Sequence, residues 1–296
     1  MNIKKTIGEK VFDVFNVLFM IFLMIITVYP LLYVIFASFS DPKMLLAHEG
    51  FLISPLGTPT LRGYKLTLGN PNIILGYRNT IFYVIVGTFI NIVMTSLGAY
   101  VVTRSYFKLK TFMLVMIIIT MFFSGGLIPL FITVRSLGMY NTIWALLLPW
   151  AISSWNLIIM KTFFQSLPIS LEESAIIDGA GDWGIFTKII LPLSKPVIAV
   201  MVLYYGVGHW NSWFSAMIFL RDRQMFPLQL FLREILMLNV SSAATQATAE
   251  NMLEESHYKE LIQYCTIVAA TLPILFVYPF LQKYFVKGVM IGAIKG

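Results

Sequence analysis

Leu167-Pro-Ile-Ser-Leu-Glu-Glu-Ser-Ala-Ile-Ile-Asp-Gly-Ala-Gly-Asp-Trp-Gly-Ile-Phe-Thr-Lys-Ile-Ile-Leu-Pro-Leu-Ser-Lys-Pro196 is the most informative stretch of the chain. Ser170 reads as a helix N-cap, and Glu173, three residues on, completes a capping box, with Glu172 also favoured near the positive helix end. The helix so started runs through Ala175, Ile176 and Ile177 and stops at the turn signal Asp178-Gly179. Asp182 can then cap a second helix over 183–190, which Pro192 ends. Ile176, Ile177, Trp183, Phe186 and Ile189 are expected to be exposed on this two-helix knuckle, with no domain of its own to bury them. Such a patch implies either a partner or a membrane interface. On each side lies a charge-free window of 25 residues, 136–160 and 196–220.

Working outward, further charge-free windows cover 14–40, 79–103, 111–134 and 261–282. A helix rises about 1.5 Å per residue and needs roughly 20 apolar residues to cross a bilayer core, so each window is long enough. The chain has 296 residues, 58% of them hydrophobic, 12% charged, and a mean hydropathy of +0.81, outside the range of soluble domains. The fold class is therefore an all-α membrane protein of six transmembrane helices, a single domain with spans at about 12–40, 79–103, 108–125, 140–164, 196–220 and 261–283. The first window follows Lys4, Lys5 and Lys10 like a leader, but its apolar run exceeds a leader's 7–15 residues, so it is read as a retained helix. The single cysteine, Cys265, lies mid-span and excludes an intramolecular disulfide or a zinc framework.

With both termini cytoplasmic, the inside segments hold twelve basic and six acidic residues, against nine and eight outside. The positive-inside rule favours this orientation, and the 104–110 loop, with Arg104, Lys108, Lys110 and no acid, votes for it most clearly. The knuckle then falls in a cytoplasmic loop, 166–195, and the extracytoplasmic loops are 41–78, 126–139 and 221–260. The first of these is punctuated by Pro42, Pro55, Gly57, Pro59, Gly63, Gly69 and Pro71. In the second, 127–137 reads as a short helix. In the third, 241–245 is small and polar.

Glu173-Ser174-Ala175, then Gly179, Ile189 and Leu191-Pro192 at their intervals, resembles the "EAA" loop of ABC importer permeases. Ser174 alone departs, standing where the family has the first alanine of its triplet. Asp178, Ala180, Phe186 and Leu193 make the loop more specifically similar to carbohydrate-uptake permeases, the group of the maltose-transporter permease. The C-terminal 283–296 resembles the tail of the Gram-positive multiple-sugar or lipoprotein permease subset, where the tail reaches the ATPase dimer interface. The resemblance covers essentially the whole chain. It implies the type I ABC importer permease fold in a bacterial plasma membrane. It also implies an ATPase-coupling surface at Glu172, Glu173, Ser174, Ala175, Asp178, Gly179, Ala180, Phe186, Ile189, Leu191 and Pro192. The implied partners are a second homologous permease making a heterodimer, two ABC ATPase subunits that bind ATP and Mg, and a lipid-anchored substrate-binding protein. The implied cargo is a sugar or oligosaccharide, moved by alternating access.

Gly179-Ala-Gly181-Asp-Trp-Gly184 formally matches the dinucleotide fingerprint, but a helix rather than a strand precedes it and membrane spans flank it. No G-x-x-x-x-G-K-[ST] occurs, so ATP hydrolysis is assigned to another polypeptide and no cofactor to this one. His48, His209 and His257 lack metal-ligand spacing, so no metal site or catalytic residue is expected. Tyr204, Tyr205, His209, Trp210, Asn211 and Trp213 in the fifth span, with Asn156 in the fourth, are candidates for the substrate path. Aromatic rings can stack on sugars and polar groups inside spans face the bundle interior or water, although an aromatic belt or packing would use the same residues. Asn91 and Trp155 are weaker candidates, since isolated polar groups often bond across helices. The main rival is an ion-coupled secondary transporter, which needs charges inside spans that have none. An intramembrane enzyme would have only His209 as a base. A net charge of +7 follows from topology and calls for no nucleic acid.

Overall fold

A computed structural model of the chain describes residues 6–237, 258–276 and 279. The tail 283–296, the 241–245 run, His257 and the far end of the expected sixth span lie outside the described residues. Among the described residues every regular element is helical. In chain order these are α1 (Ile7–Phe39), α2 (Pro42–Leu46), α3 (Arg62–Gly69), α4 (Pro71–Thr103), α5 (Lys110–Phe122), α6 (Leu127–Ser136) and α7 (Trp144–Leu147). They continue as α8 (Ser154–Ser166), α9 (Ile169–Ile177), α10 (Asp182–Leu193), α11 (Lys195–Trp210), α12 (Phe214–Phe219), α13 (Leu228–Met237) and α14 (Tyr258–Phe276). The chain forms two compact units, Met1–Asn70 with Ile235–Thr271, and Pro71–Glu234 with Leu272–Gly296.

In the first unit α1 opens on a capping box, the Thr6 hydroxyl accepting from Glu9 N–H and the Glu9 carboxylate from Thr6 N–H. Its apolar side chains from Ile7 to Ile26 are exposed along its length, as lipid or another chain as solvent requires. The C-terminal end of α1 meets a small core of Ala37, Leu45, Leu52, Leu261 and Cys265. Gly63 lets α3 lie close against the Leu261–Cys265 side of that core, because a Cβ there would lie 2.6 Å from the Cys265 sulfur. Asp41 caps α2 by accepting from Lys43 N–H at 2.9 Å and Met44 N–H at 3.3 Å.

In the second unit α4 is the central strut, packed against α11 and α8. Its buried face is Gly87, Thr88, Asn91, Thr95, Ser96 and Ala99, small or polar residues that let helices approach closely and bond across the contact. One core joins α4, α8, α9, α10 and α11 through Ala99, Met160, Phe164, Ala175, Ile185, Phe186, Ile190 and Met201.

Among the described residues three helices, α1, α4 and α14, are each long and apolar enough to cross a membrane, and α10 with α11, bent by 79°, makes a fourth when the pair is counted as one span. The expected span boundaries differ from the helices in four places. α4 begins at Pro71 rather than at 79, carrying the exposed Arg78 inside it. A charge marks where the apolar zone ends, not where the helix ends, since a long cationic side chain reaches to water while its backbone stays helical. The expected third span is a 13-residue helix, α5. The stretch 140–164 divides into α7 and α8, and 196–220 into α11 and α12.

Candidate functional site

The knuckle is a pair of helices, as the sequence indicates, but its caps differ. α9 starts one residue after Pro168, so Ser170 lies inside it and makes no capping bond; Pro fixes the entry backbone instead. Asp178 closes the helix, and Gly179, at φ +81, turns the chain in a conformation that L residues rarely adopt. Asp182 is the first residue of α10 rather than its cap. Pro192 does not end α10, which runs to Leu193 through a π-helical turn at Phe186–Ile190. That wider turn accommodates a residue with no N–H to give and a ring that would strike the preceding carbonyl.

The knuckle's apolar residues separate into two sets. Ile176, Ile177 and Trp183 are 62, 86 and 68% exposed at the tip. Phe186, expected beside them, is only 3% exposed and packs on Tyr100 with ring centroids 5.0 Å apart. Ile189 is half-buried against the same core. Glu173, Ser174, Asp178, Gly179 and Pro192 are exposed, Ala175 is buried, and Ala180 and Leu191 are half-buried.

Glu172 is not free. Its carboxylate accepts a two-pronged pair of hydrogen bonds from Arg104, Nη2 to Oε1 at 3.0 Å and Nη1 to Oε2. The guanidinium sits 4.2 Å above the Tyr100 ring. Burial lowers the Arg104 pKa, but the Glu172 hydrogen bond and charge outweigh that and hold it above its ordinary value. Tyr100 Oη donates to the Asp182 carbonyl at 3.1 Å, and Tyr106 Oη to Asp182 Oδ1 at 2.6 Å. Desolvation, then this bond and the Asp182 charge, push the Tyr106 phenol up to about 12. Sequence reasoning missed Tyr100 and Tyr106 and used Arg104 only to orient the chain. The signal available was an arginine among tyrosines at a helix end, opposite a Glu-Glu pair.

A second site lies farther along α4. Asn156, Tyr204, Tyr205, His209, Asn211 and Trp213 line one cavity of about 590 Å³, together with Trp150, Ser153 and Ser212. Trp210 does not line it, but faces a separate apolar cavity of about 500 Å³ with Val84, Phe89 and Val202. Among the described residues, no Asp, Glu, Lys or Arg lines the first cavity. Both broken stretches, 148–153 and 211–213, border it, which is where irregular backbone at membrane depth is tolerated. The break before α8 is held by Asn91, whose amide donates to the Trp150 and Ala151 carbonyls at 2.6 and 3.0 Å. With that nitrogen committed, Asn91 Oδ1 accepts from His209 Nε2 at 2.7 Å, which fixes the imidazole tautomer. A Cβ at Gly87 would strike that ring. Thr95 and Tyr205 share a hydroxyl hydrogen bond at 2.7 Å, and Ser153 N–H donates to the Tyr205 oxygen at 3.1 Å. Asn91 is thus a helix-bonding residue behind the cavity wall.

Residues 73–291 match the family model for the binding-protein-dependent transport system inner membrane component. Protein LplC of Bacillus subtilis (strain 168) is 44% identical over 98% of this chain and 97% of that protein. The polygalacturonan/rhamnogalacturonan transport system permease protein YtcP of the same organism is 39% identical over 97% of this chain and 99% of that one. A chain of a bacterial ABC transporter involved in the import of the acidic polysaccharide alginate superposes with a TM-score of 0.89 at 28% identity, over 96% of this chain and 100% of that one.

Proposed function

We infer that this chain, which belongs to the family of binding-protein-dependent transport system inner membrane components, is the permease subunit of an ABC importer that brings a sugar or oligosaccharide into the cytoplasm. The observation that carries this reading is the knuckle at 169–193, whose root is locked into the bundle while its tip holds three large apolar side chains in the open. The tip seats in a groove of an ATPase subunit, and the full assembly has two such subunits, a second permease and an extracellular, lipid-anchored binding protein. ATP and Mg bind the ATPase subunits, and this chain is non-catalytic.

The same reading gives six crossings of a bacterial plasma membrane, near 12–40, 79–103, 108–125, 140–164, 196–220 and 261–283, with both termini and the knuckle cytoplasmic. The excess of Lys and Arg in the inside segments supports this orientation. The interrupted fourth and fifth crossings form the wall of the substrate path, with Asn156, Tyr204, Tyr205, His209, Asn211 and Trp213 facing the cargo. An uncharged cavity offering rings and hydrogen-bonding groups suits a sugar, and two related transporters are named for polysaccharides. ATP binding closes the ATPase pair, the knuckle moves with it, the path opens outward to receive cargo, and hydrolysis resets it inward.

Reconstitution in proteoliposomes with the partner permease, the ATPase subunits and the binding protein tests this. Uptake of a labelled oligosaccharide is expected only with ATP on the side of the ATPase subunits. Uptake without ATP that follows a sodium or proton gradient would establish an ion-coupled carrier instead.

A further inference from the structure

The geometry points to Arg104, aided by Tyr106, as a positioning residue that ties the knuckle to α4 and so passes its movement to the wall of the substrate path. This rests on the reading above, in which the knuckle receives the stroke of an ATPase. Each helix of the knuckle is bonded to the same short segment, α9 through Glu172 to Arg104 and α10 through Asp182 to Tyr100 and Tyr106. The fork is planar and two-pronged, so it fixes orientation as well as distance. The two side chains are only 11 and 17% exposed, so water does not readily replace either partner. The tip beyond these bonds carries its exposed residues on a turn anchored at both ends.

α4 itself then runs uninterrupted from Thr103 back to Asn91 and Thr95, about 20 Å at most at 1.5 Å per residue. Asn91 bonds His209 and the carbonyls of the broken stretch before α8, and Thr95 bonds Tyr205. Those are the residues that shape the cavity, so a shift of the α4 end moves the backbone where the wall is irregular. A knuckle released from Arg104 can still dock on the ATPase, but its movement dissipates in the α9–α10 turn. ATP is then hydrolysed without import.

The reading requires that the ratio of ATP hydrolysed to sugar imported, measured on the complete reconstituted complex, rise roughly tenfold in Arg104→Gln while the ATPase subunits still copurify. The exchanged pair Arg104→Glu with Glu172→Arg is expected to restore the ratio to within about threefold, because it re-forms the ion pair, whereas a merely structural role would lower the yield of assembled complex and leave the ratio itself unchanged. A wild-type ratio in Arg104→Gln, or an exchanged pair that stays uncoupled, overturns the proposal. If Arg104→Gln does not assemble, Tyr106→Phe decides, since it removes only a hydroxyl: a raised ratio supports the tie and an unchanged ratio overturns it. A wild-type complex that imports without ATP would instead sink the importer reading, and this inference with it.

Discussion

The root and the tip of the knuckle are built from the same kinds of residue and sit in opposite surroundings. Ala175, Ile185, Phe186 and Ile190 are buried against α4, α8 and α11, while Ile176, Ile177 and Trp183, neighbours of these in sequence, are open. Burying a side chain of this size stabilises by roughly 1.5–3 kcal/mol, so the root has taken that gain within the chain and the tip has not. The root therefore governs whether the knuckle exists, and the tip governs what it can engage.

Disrupting the turn between them should have the largest effect. Gly179→Pro replaces a residue at φ +81 by one fixed near −65° and removes the N–H that donates to the Ile176 carbonyl at 3.0 Å. At about 3 kcal/mol or more, import should fall over a hundredfold while membrane insertion survives, as flux assays and membrane fractionation would record. Next comes the tip. Ile177→Asp should lower ATPase copurification and import about tenfold or more, from the roughly 1.5–3 kcal/mol of lost burial, and leave the melting temperature of the detergent-solubilised permease unchanged. The root should behave in the opposite way. Phe186→Ala should destabilise the permease by about 3–5 kcal/mol in a thermal or denaturant melt, with import falling only as folded protein is lost. A tip variant that melts early, or a Phe186→Ala variant that melts normally yet fails to import, would erase the distinction.

The smallest effect is a titration. The Tyr106 phenol is raised from 10.0 to about 12, so its contribution to holding α10 is complete below pH 10 and is lost as pH rises through about 12. An ultraviolet titration of wild type against Tyr106→Phe should show one tyrosine ionising late. A difference spectrum centred near pH 10 would mean that the bond to Asp182 does not form.

How much of this the sequence disclosed depends on the range of the physics. The helical class follows from charge-free windows alone, because lipid leaves backbone groups no partner but their own helix. The turn at Asp178-Gly179 is local chemistry, and the structure has it where the residues indicate. The split of 140–164 was not legible, because the carbonyls of Trp150 and Ala151 are satisfied by Asn91, about 60 residues away. The burial of Phe186 depends on Tyr100, and the state of Glu172 on Arg104, neither close in sequence. Trp210 and Asn211 are adjacent, yet only the asparagine reaches the polar cavity, since Trp210 ends α11 and Asn211 begins the broken stretch that borders that cavity. The helix boundaries were hidden for a related reason. Hydropathy reports which residues can meet lipid, while Arg78 in α4 and the short α5 show that helices keep other boundaries.

The most direct test of the central claim uses a cysteine at Ile177, with the buried Cys265 left in place as the chain's own silent thiol. In inverted membrane vesicles carrying the full complex, a short bifunctional reagent should join Ile177→Cys to the nucleotide-hydrolysing subunit, and a cysteine at Phe186 should give no adduct. Labelling of Ile177→Cys only by an impermeant reagent added to right-side-out cells, with no cross-link to that subunit, would contradict the account.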